Sequence, residues 1–302
     1  MRRLVPLAAL CLTLAAVSRA PGLELADVTF YAPFEGHAAP ALATGEPGPL
    51  AGSAADVTYV PGVIGQAIVC GQAGRDTPQY PMAGHLNERR GALSVWFKPA
   101  NWRAGDSQQH VIIQGGGRFL LYHYWESQAF AFYWMRGSTV VWGPGYMYVP
   151  ATPDQWRHFV FSWGDGQCAA YVDGQKRGET IDMPADVPAW AEGEHFTLSP
   201  TDWTKDGKNA TALDELMTFS RPLAPQEAAS LYRHGAVALA APQLRLPRLA
   251  AAPTVDGGTA DPVWRSAAAC AGSRSPVGEP CSEWLGLQPT TRPPSWTWGI
   301  PA

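Results

Sequence analysis

The stretch that most constrains this chain is Trp156-Arg-His-Phe-Val-Phe-Ser-Trp-Gly164, running into Cys168-Ala-Ala-Tyr-Val-Asp-Gly174. Phe159, Phe161 and Trp163 share one parity, and His158, Val160 and Ser162 share the other. An extended segment here is therefore largely apolar on both faces, as a strand covered on both sides of a sandwich must be. Gly164-Asp165-Gly166 supplies the positive-φ positions of a hairpin, and Asp173-Gly174 repeats the signal after Ala169 to Val172. Two tight turns this close predict a meander of antiparallel strands.

The rest of the chain carries the same signature in shorter pieces. Val28 to Ala32 reads as an opening strand, with a turn over Pro33 to Gly36. Gly91 to Pro99, His110 to Gln114, Arg118 to Trp125, Ala129 to Trp134, Thr139 to Trp142, His195 to Ser199 and Thr211 to Phe219 read as further strands. Charged residues make up only 16%, against 31 Gly, 28 Pro and 13 Trp, a balance that favours an all-β chain over a helical one. A short helix is expected after the Arg221-Pro222-Leu223 turn. Pro225 stands at its start, Glu227 in its first turn and Arg233-His234 in its last. Leu223, Ala228, Leu231 and Tyr232 would be its buried contacts. The formal net charge of −4 makes no electrostatic case for nucleic acid or a polyanion.

Three segments carry a family likeness. They are Val28-Thr-Phe-Tyr-Ala-Pro-Phe-Glu-Gly36, Gly91-Ala-Leu-Ser-Val-Trp-Phe-Lys-Pro99, and Leu213-Asp-Glu-Leu-Met-Thr-Phe-Ser-Arg-Pro-Leu223 followed by Gln226-Glu-Ala-Ala-Ser-Leu-Tyr232. Together with the 156–174 meander they resemble the laminin-G-like, concanavalin A-like lectin/glucanase jelly roll. The resemblance implies an all-β, two-sheet antiparallel jelly-roll sandwich with one short C-terminal helix, spanning residues 26–237, and a fold that usually binds rather than catalyses. It also implies a possible calcium ion, with Glu35 and Asp214 as carboxylate ligands and carbonyls after Glu35 completing the shell. Glu35 stands where the family usually has Asp. The alternative is that Asp214 caps nearby backbone amides and Glu35 is solvated.

Catalytic signals are missing from the sequence. Glycoside hydrolases of this shape need paired carboxylates on one strand face, and their Glu-x-Asp-x-x-Glu arrangement does not occur. Asp214 and Glu215 are adjacent and, in a regular strand, point to opposite faces. There is no Gly-x-Ser-x-Gly elbow, His-Glu-x-x-His or P-loop. Aromatic platforms for sugar are concentrated between Tyr122 and Tyr148. If Phe119, Leu121, Phe130 and Phe132 face the core, then Tyr122, Tyr124 and Tyr133 line the opposite face, with Trp142, Tyr146 and Tyr148 following. Tyr122, Tyr124, Tyr133 and Trp142 are the carbohydrate-binding candidates.

Met1-Arg-Arg3, the apolar run from Leu4 to Val17 and Ser18-Arg-Ala20 follow the order of a secretory signal peptide over residues 1–20. Export would permit a Cys70–Cys168 disulfide; equally, both could be small core residues. Asn209-Ala-Thr211 is a glycosylation sequon. Residues 238–252 read as a linker. The segment 253–272, with Val255-Asp-Gly257 and Asp261-Pro-Val-Trp264, is similar to the opening of a family-9-type carbohydrate-binding module, and 273–302 reads as a disordered or non-native tail. The expectation is a secreted, extracellular or periplasmic, non-catalytic module. Its partner would be a glycan or an extracellular protein, with no nucleic acid and no membrane span once the leader is removed. An adhesive or structural module is the second reading, and a glycoside hydrolase of the same fold the third.

Overall fold

The structure, a computed structural model, describes residues 22–235 apart from 117–118, 125, 127–128, 137–138, 185–186, 188 and 201–207; residues 136 and 139–142 are described through their backbone. The described residues belong to one compact unit, Met1–Leu239. The leader of residues 1–20 and the linker, stub and tail expected over 238–302 lie outside them.

The strands, in chain order, are β1 (Val28–Ala32), β2 (Leu42–Ala43), β3 (Thr58–Pro61), β4 (Gln66–Gln72), β5 (Gln79–Pro81), β6 (Gly91–Pro99), β7 (His110–Gly115) and β8 (Phe119–Tyr124). They continue with β9 (Ala129–Arg136), β10 (Thr139–Trp142), β11 (Tyr146–Met147), β12 (Arg157–Gly164), β13 (Gln167–Val172), β14 (Gln175–Asp182), β15 (His195–Leu198) and β16 (Lys208–Phe219). One helix, α1 (Pro225–His234), follows. The first sheet runs β14-β13-β12-β6-β16-β1-β2, with β4 also paired to β16 and β3 to β4. The second runs β10-β9-β8-β7-β15-β5, with β11 on β9. All pairings given for these strands are antiparallel. The fold is the all-β jelly-roll sandwich that the spacing of strands and turns predicts.

The two parities of β12 explain why the sandwich closes. Phe159, Phe161 and Trp163 enter the main core, where Phe161 lies 3.7 Å, ring to ring, from Phe132 of the opposite sheet. The other face lies under α1. Val160 packs with Ala228 and Leu231, and the Ser162 hydroxyl accepts the Leu223 N–H at 2.8 Å. His158, wholly buried, bonds Ser94 Oγ through Nε2 at 2.9 Å, and its burial lowers the imidazole pKa to about 3, so the ring is neutral. The helix begins as expected: Pro225 occupies the first turn and Glu227 accepts the Ala224 N–H at 2.8 Å. Tyr232 departs from the expectation. It is 39% exposed, because it lies over Trp96 at 5.4 Å instead of entering the core.

Cys70 and Cys168 are free and buried. Cys70 lies on β4 and Cys168 on β13, four strand steps apart through β16, β6 and β12. At about 4.8 Å per step this is roughly 19 Å, beyond the roughly 7 Å Cα limit of a disulfide. The core reading of both cysteines is the one that the fold realises.

Candidate functional site

The outer face of the second sheet carries a closed set of tyrosines. In β8, Phe119, Leu121 and His123 are buried inward, which leaves Leu120, Tyr122 and Tyr124 on the other face. The register sets Tyr122 opposite Ala131 and Tyr124 opposite Ala129, so small residues leave room for each ring to lie across the neighbouring strand. Tyr133 stands opposite Leu120, and Tyr146 of β11 pairs with Ala131 from the other side. Four ring contacts close the circuit: Tyr122–Tyr124 at 6.0 Å, Tyr124–Tyr146 at 6.0 Å, Tyr146–Tyr133 at 6.1 Å and Tyr133–Tyr122 at 6.1 Å. Tyr124 and Tyr146 are near-parallel at 12°, whereas Tyr133 and Tyr146 meet edge to face at 89°.

Exposure rises across the circuit from Tyr122, which is buried, through the half-buried Tyr124 and Tyr133 to its rim. Tyr146 is 42% exposed and Tyr148 73%. The Tyr124 hydroxyl donates to Glu126 Oε2 at 2.5 Å, and that bond raises its pKa. Burial, with the neighbouring tyrosines adding, raises Tyr122 and Tyr133 as well. The hydroxyls therefore stay protonated, able to donate and accept at once. Gly143 permits the chain to cross β9 here, since a Cβ would lie 2.2 Å from Phe132 O and 2.5 Å from the Tyr133 ring. Of the candidate residues, Tyr122, Tyr124 and Tyr133 come together. The Trp142 backbone pairs with Trp134 on β9, and its side chain lies outside the described residues. Tyr146 completes the cluster. Its signal in the sequence was membership of the same aromatic-rich segment, but its return across β9 depends on the Gly143-Pro-Gly145 turn.

Glu35 and Asp214 lie elsewhere, around the hairpin joining β3 to β4. Asp214 Oδ2 accepts the N–H groups of Val63 at 2.7 Å and Ile64 at 3.1 Å, while Oδ1 accepts the Glu215 N–H at 2.8 Å. Glu35 Oε2 accepts the Gln66 N–H at 3.0 Å, and Gly65 makes room for it, since a Cβ there would sit 2.1 Å from Glu35 Oε1. Both acids thus fasten one hairpin. Both Asp214 oxygens and Glu35 Oε2 already accept backbone N–H groups, so a calcium ion here would compete with those bonds. Among the described residues, no group of three or more His, Cys, Asp or Glu side chains is placed to hold a metal ion. The simple alternation expected for Asp214 and Glu215 also fails. Glu215 has φ +50° at a register slip against β6, and both carboxylates are buried. Glu215 Oε1 accepts the Tyr31 hydroxyl at 2.7 Å.

Two antiparallel sheets face to face, with one helix on the outer side of the larger, define a lectin-type jelly roll. The chain belongs to the concanavalin A-like lectin/glucanases superfamily, whose laminin-G profile matches residues 73–229. Domain 4 of AbnA, a GH43 extracellular arabinanase from Geobacillus stearothermophilus solved in complex with arabinotriose, shares the fold at TM-score 0.52 and 18% identity, covering 68% of this chain and 98% of that domain. The binding domain of Paraclostridial Mosquitocidal Protein 1 superposes at TM-score 0.51 and 12% identity, covering 68% of this chain and 52% of that one. The botulinum neurotoxin serotype G binding domain superposes at TM-score 0.51 and 9% identity, covering 68% and 51%. The chain spans about half the length of these two toxin domains. No curated protein matches it. Among the described residues, no helix is long and apolar enough to cross a membrane.

Proposed function

We propose that this domain is an exported, non-catalytic carbohydrate-binding module that holds a polysaccharide or glycoconjugate on the Tyr122–Tyr124–Tyr133–Tyr146 face. The observation that carries the reading is the closed circuit of tyrosine rings on the outer sheet face, exposed most at Tyr146. Aromatic faces pack on sugar C–H groups, and hydroxyls that donate and accept orient the sugar's own hydroxyls. The complex of the arabinanase domain with arabinotriose is a precedent for a sugar held on this fold. The leader-like residues 1–20 support export. A hydrolase of this fold would need two carboxylates set about 5–9.5 Å apart across the scissile bond. The acid that Tyr124 brings to this face is Glu126, already bonded to its hydroxyl.

A glycan-array screen of the protein, followed by titration of the best hit, tests the reading. Tyr124→Ala and Tyr146→Ala should each weaken binding about tenfold, equivalent to about 1.4 kcal/mol, without lowering the unfolding midpoint by a comparable amount. A blank array from folded protein, or binding indifferent to both substitutions, would sink the proposal and favour a protein-binding surface.

A further inference from the structure

A second cleft, away from the tyrosines, is built by the loop between β6 and β7. It measures about 280 Å³ and is lined by Asn101, Trp102, Arg103, Asp106, Gln108 and Lys208. Ligand clefts usually span roughly 300–1,000 Å³, so this one suits a single small ring, not a polymer segment. We propose that it binds one carboxylate-bearing sugar, a uronic-acid residue, through Arg103 and Lys208.

The cleft is pre-organised from inside. Trp102 donates its indole N–H to Thr211 Oγ1 at 2.9 Å and stacks on the buried His110 ring at 4.1 Å and 11°. Asn101 Oδ1 accepts the Ala210 N–H at 2.9 Å, which fixes that side chain and leaves its NH₂ as a donor. Asp106 Oδ1 accepts the Gln108 backbone N–H at 3.1 Å and bonds His110 Nε2 at 2.9 Å, and Oδ2 accepts the Arg103 backbone N–H at 3.5 Å. These bonds hold the turn, including the positive φ of Ser107, before any ligand arrives. Arg103 and Lys208, by contrast, form no ion pair among the described residues.

The chemistry selects the ligand. A guanidinium and an ammonium with no ion pair among the described residues favour an anion, and a guanidinium fork matches a carboxylate. Asp106 opposes this for a bare inorganic anion, because it adds negative charge to the same cleft. A sugar acid reconciles the two: its carboxylate meets the cations while its ring hydroxyls donate to Asp106 Oδ2 and accept from Asn101. The whole-chain charge of −4 conceals this site, since it depends on two cations gathered locally.

The test is calorimetric titration of the whole protein with sodium glucuronate, with methyl glucoside and sodium acetate as the neutral-sugar and bare-carboxylate arms. Glucuronate should bind at least about tenfold more tightly than either, as expected for charge-assisted bonds added to ring contacts. The R103Q/K208Q variant, altered at two exposed side chains, should lose about tenfold or more in affinity while unfolding at the wild-type midpoint. Tyr124→Ala should leave this binding unchanged, which separates it from the tyrosine face. Equal binding of acetate, equal binding of methyl glucoside, no binding at all, or full retention by R103Q/K208Q would each overturn the assignment.

Discussion

The carboxylate of Asp214 accepts the backbone N–H of Val63 at 2.7 Å, tying the middle of β16 to a hairpin tip 151 residues away. Ile64 and Glu215 donate to the same side chain, so one acid satisfies three buried or half-buried backbone donors. Asp214→Ala leaves all three without an acceptor and should cost about 2–4 kcal/mol of stability, read as a lower urea midpoint.

The same residue predicts a pH dependence. Burial pushes the Asp214 carboxyl up to about 7 against the pull of its N–H donors, with the charge of Glu215 adding to the rise. An acid whose pKa is higher folded than unfolded makes the folded state bind more protons between the two values. Its contribution to stability is complete below the ordinary carboxylate pKa and is lost as pH rises through about 7. Urea unfolding should therefore give a higher midpoint at pH 5 than at pH 8, with Asp214→Asn narrowing the gap. An Asp214→Asn profile that keeps the whole difference would assign it to other groups.

Because backbone N–H groups occupy the acids expected to hold calcium, the melting temperature should be the same in EDTA and in millimolar calcium. A rise with calcium that disappears in Glu35→Gln would show that the ion competes successfully for those oxygens.

Asn209 makes a poor glycan acceptor once folded. Its side chain is buried, and its amide donates to Val111 O at 2.9 Å and Pro200 O at 2.8 Å. Folded protein secreted from a glycosylating host should show no added mass at this sequon by intact mass spectrometry. Asn209→Ala should cost about 1–3 kcal/mol by leaving those carbonyls unpaired.

Cys70 and Cys168 should react with a thiol probe only after unfolding, since burial raises both thiol pKa values and hides the sulfurs. Addition of dithiothreitol should not move the melting temperature.

Much of the sandwich was legible because aromatic alternation is local. The parity of Phe159, Phe161 and Trp163 gave β12, and the parity of Phe119, Leu121, Phe130 and Phe132 correctly set the tyrosines on the other face. What escaped depends on contacts far apart in the chain. Glu215 leaves the alternation because β16 slips its register against β6, and no pattern around residue 215 announces that. The cleft of the β6–β7 loop was invisible for a similar reason. His110 and Thr211 read as strand residues, Thr211 also as part of a sequon, and nothing local announces that Trp102 stacks on one and bonds the other.

Arg221 joins the two ends of the domain. Its guanidinium bonds Asp27, just before β1, at 2.8 Å and both carboxylate oxygens of Glu227 in α1 at 2.8 and 2.9 Å. The first strand and the closing helix of the domain are thereby clasped at one spot. A clasp of this kind makes the two ends of the fold one mechanical unit, so severing it with Arg221→Met should loosen both ends together while leaving the tyrosine face intact.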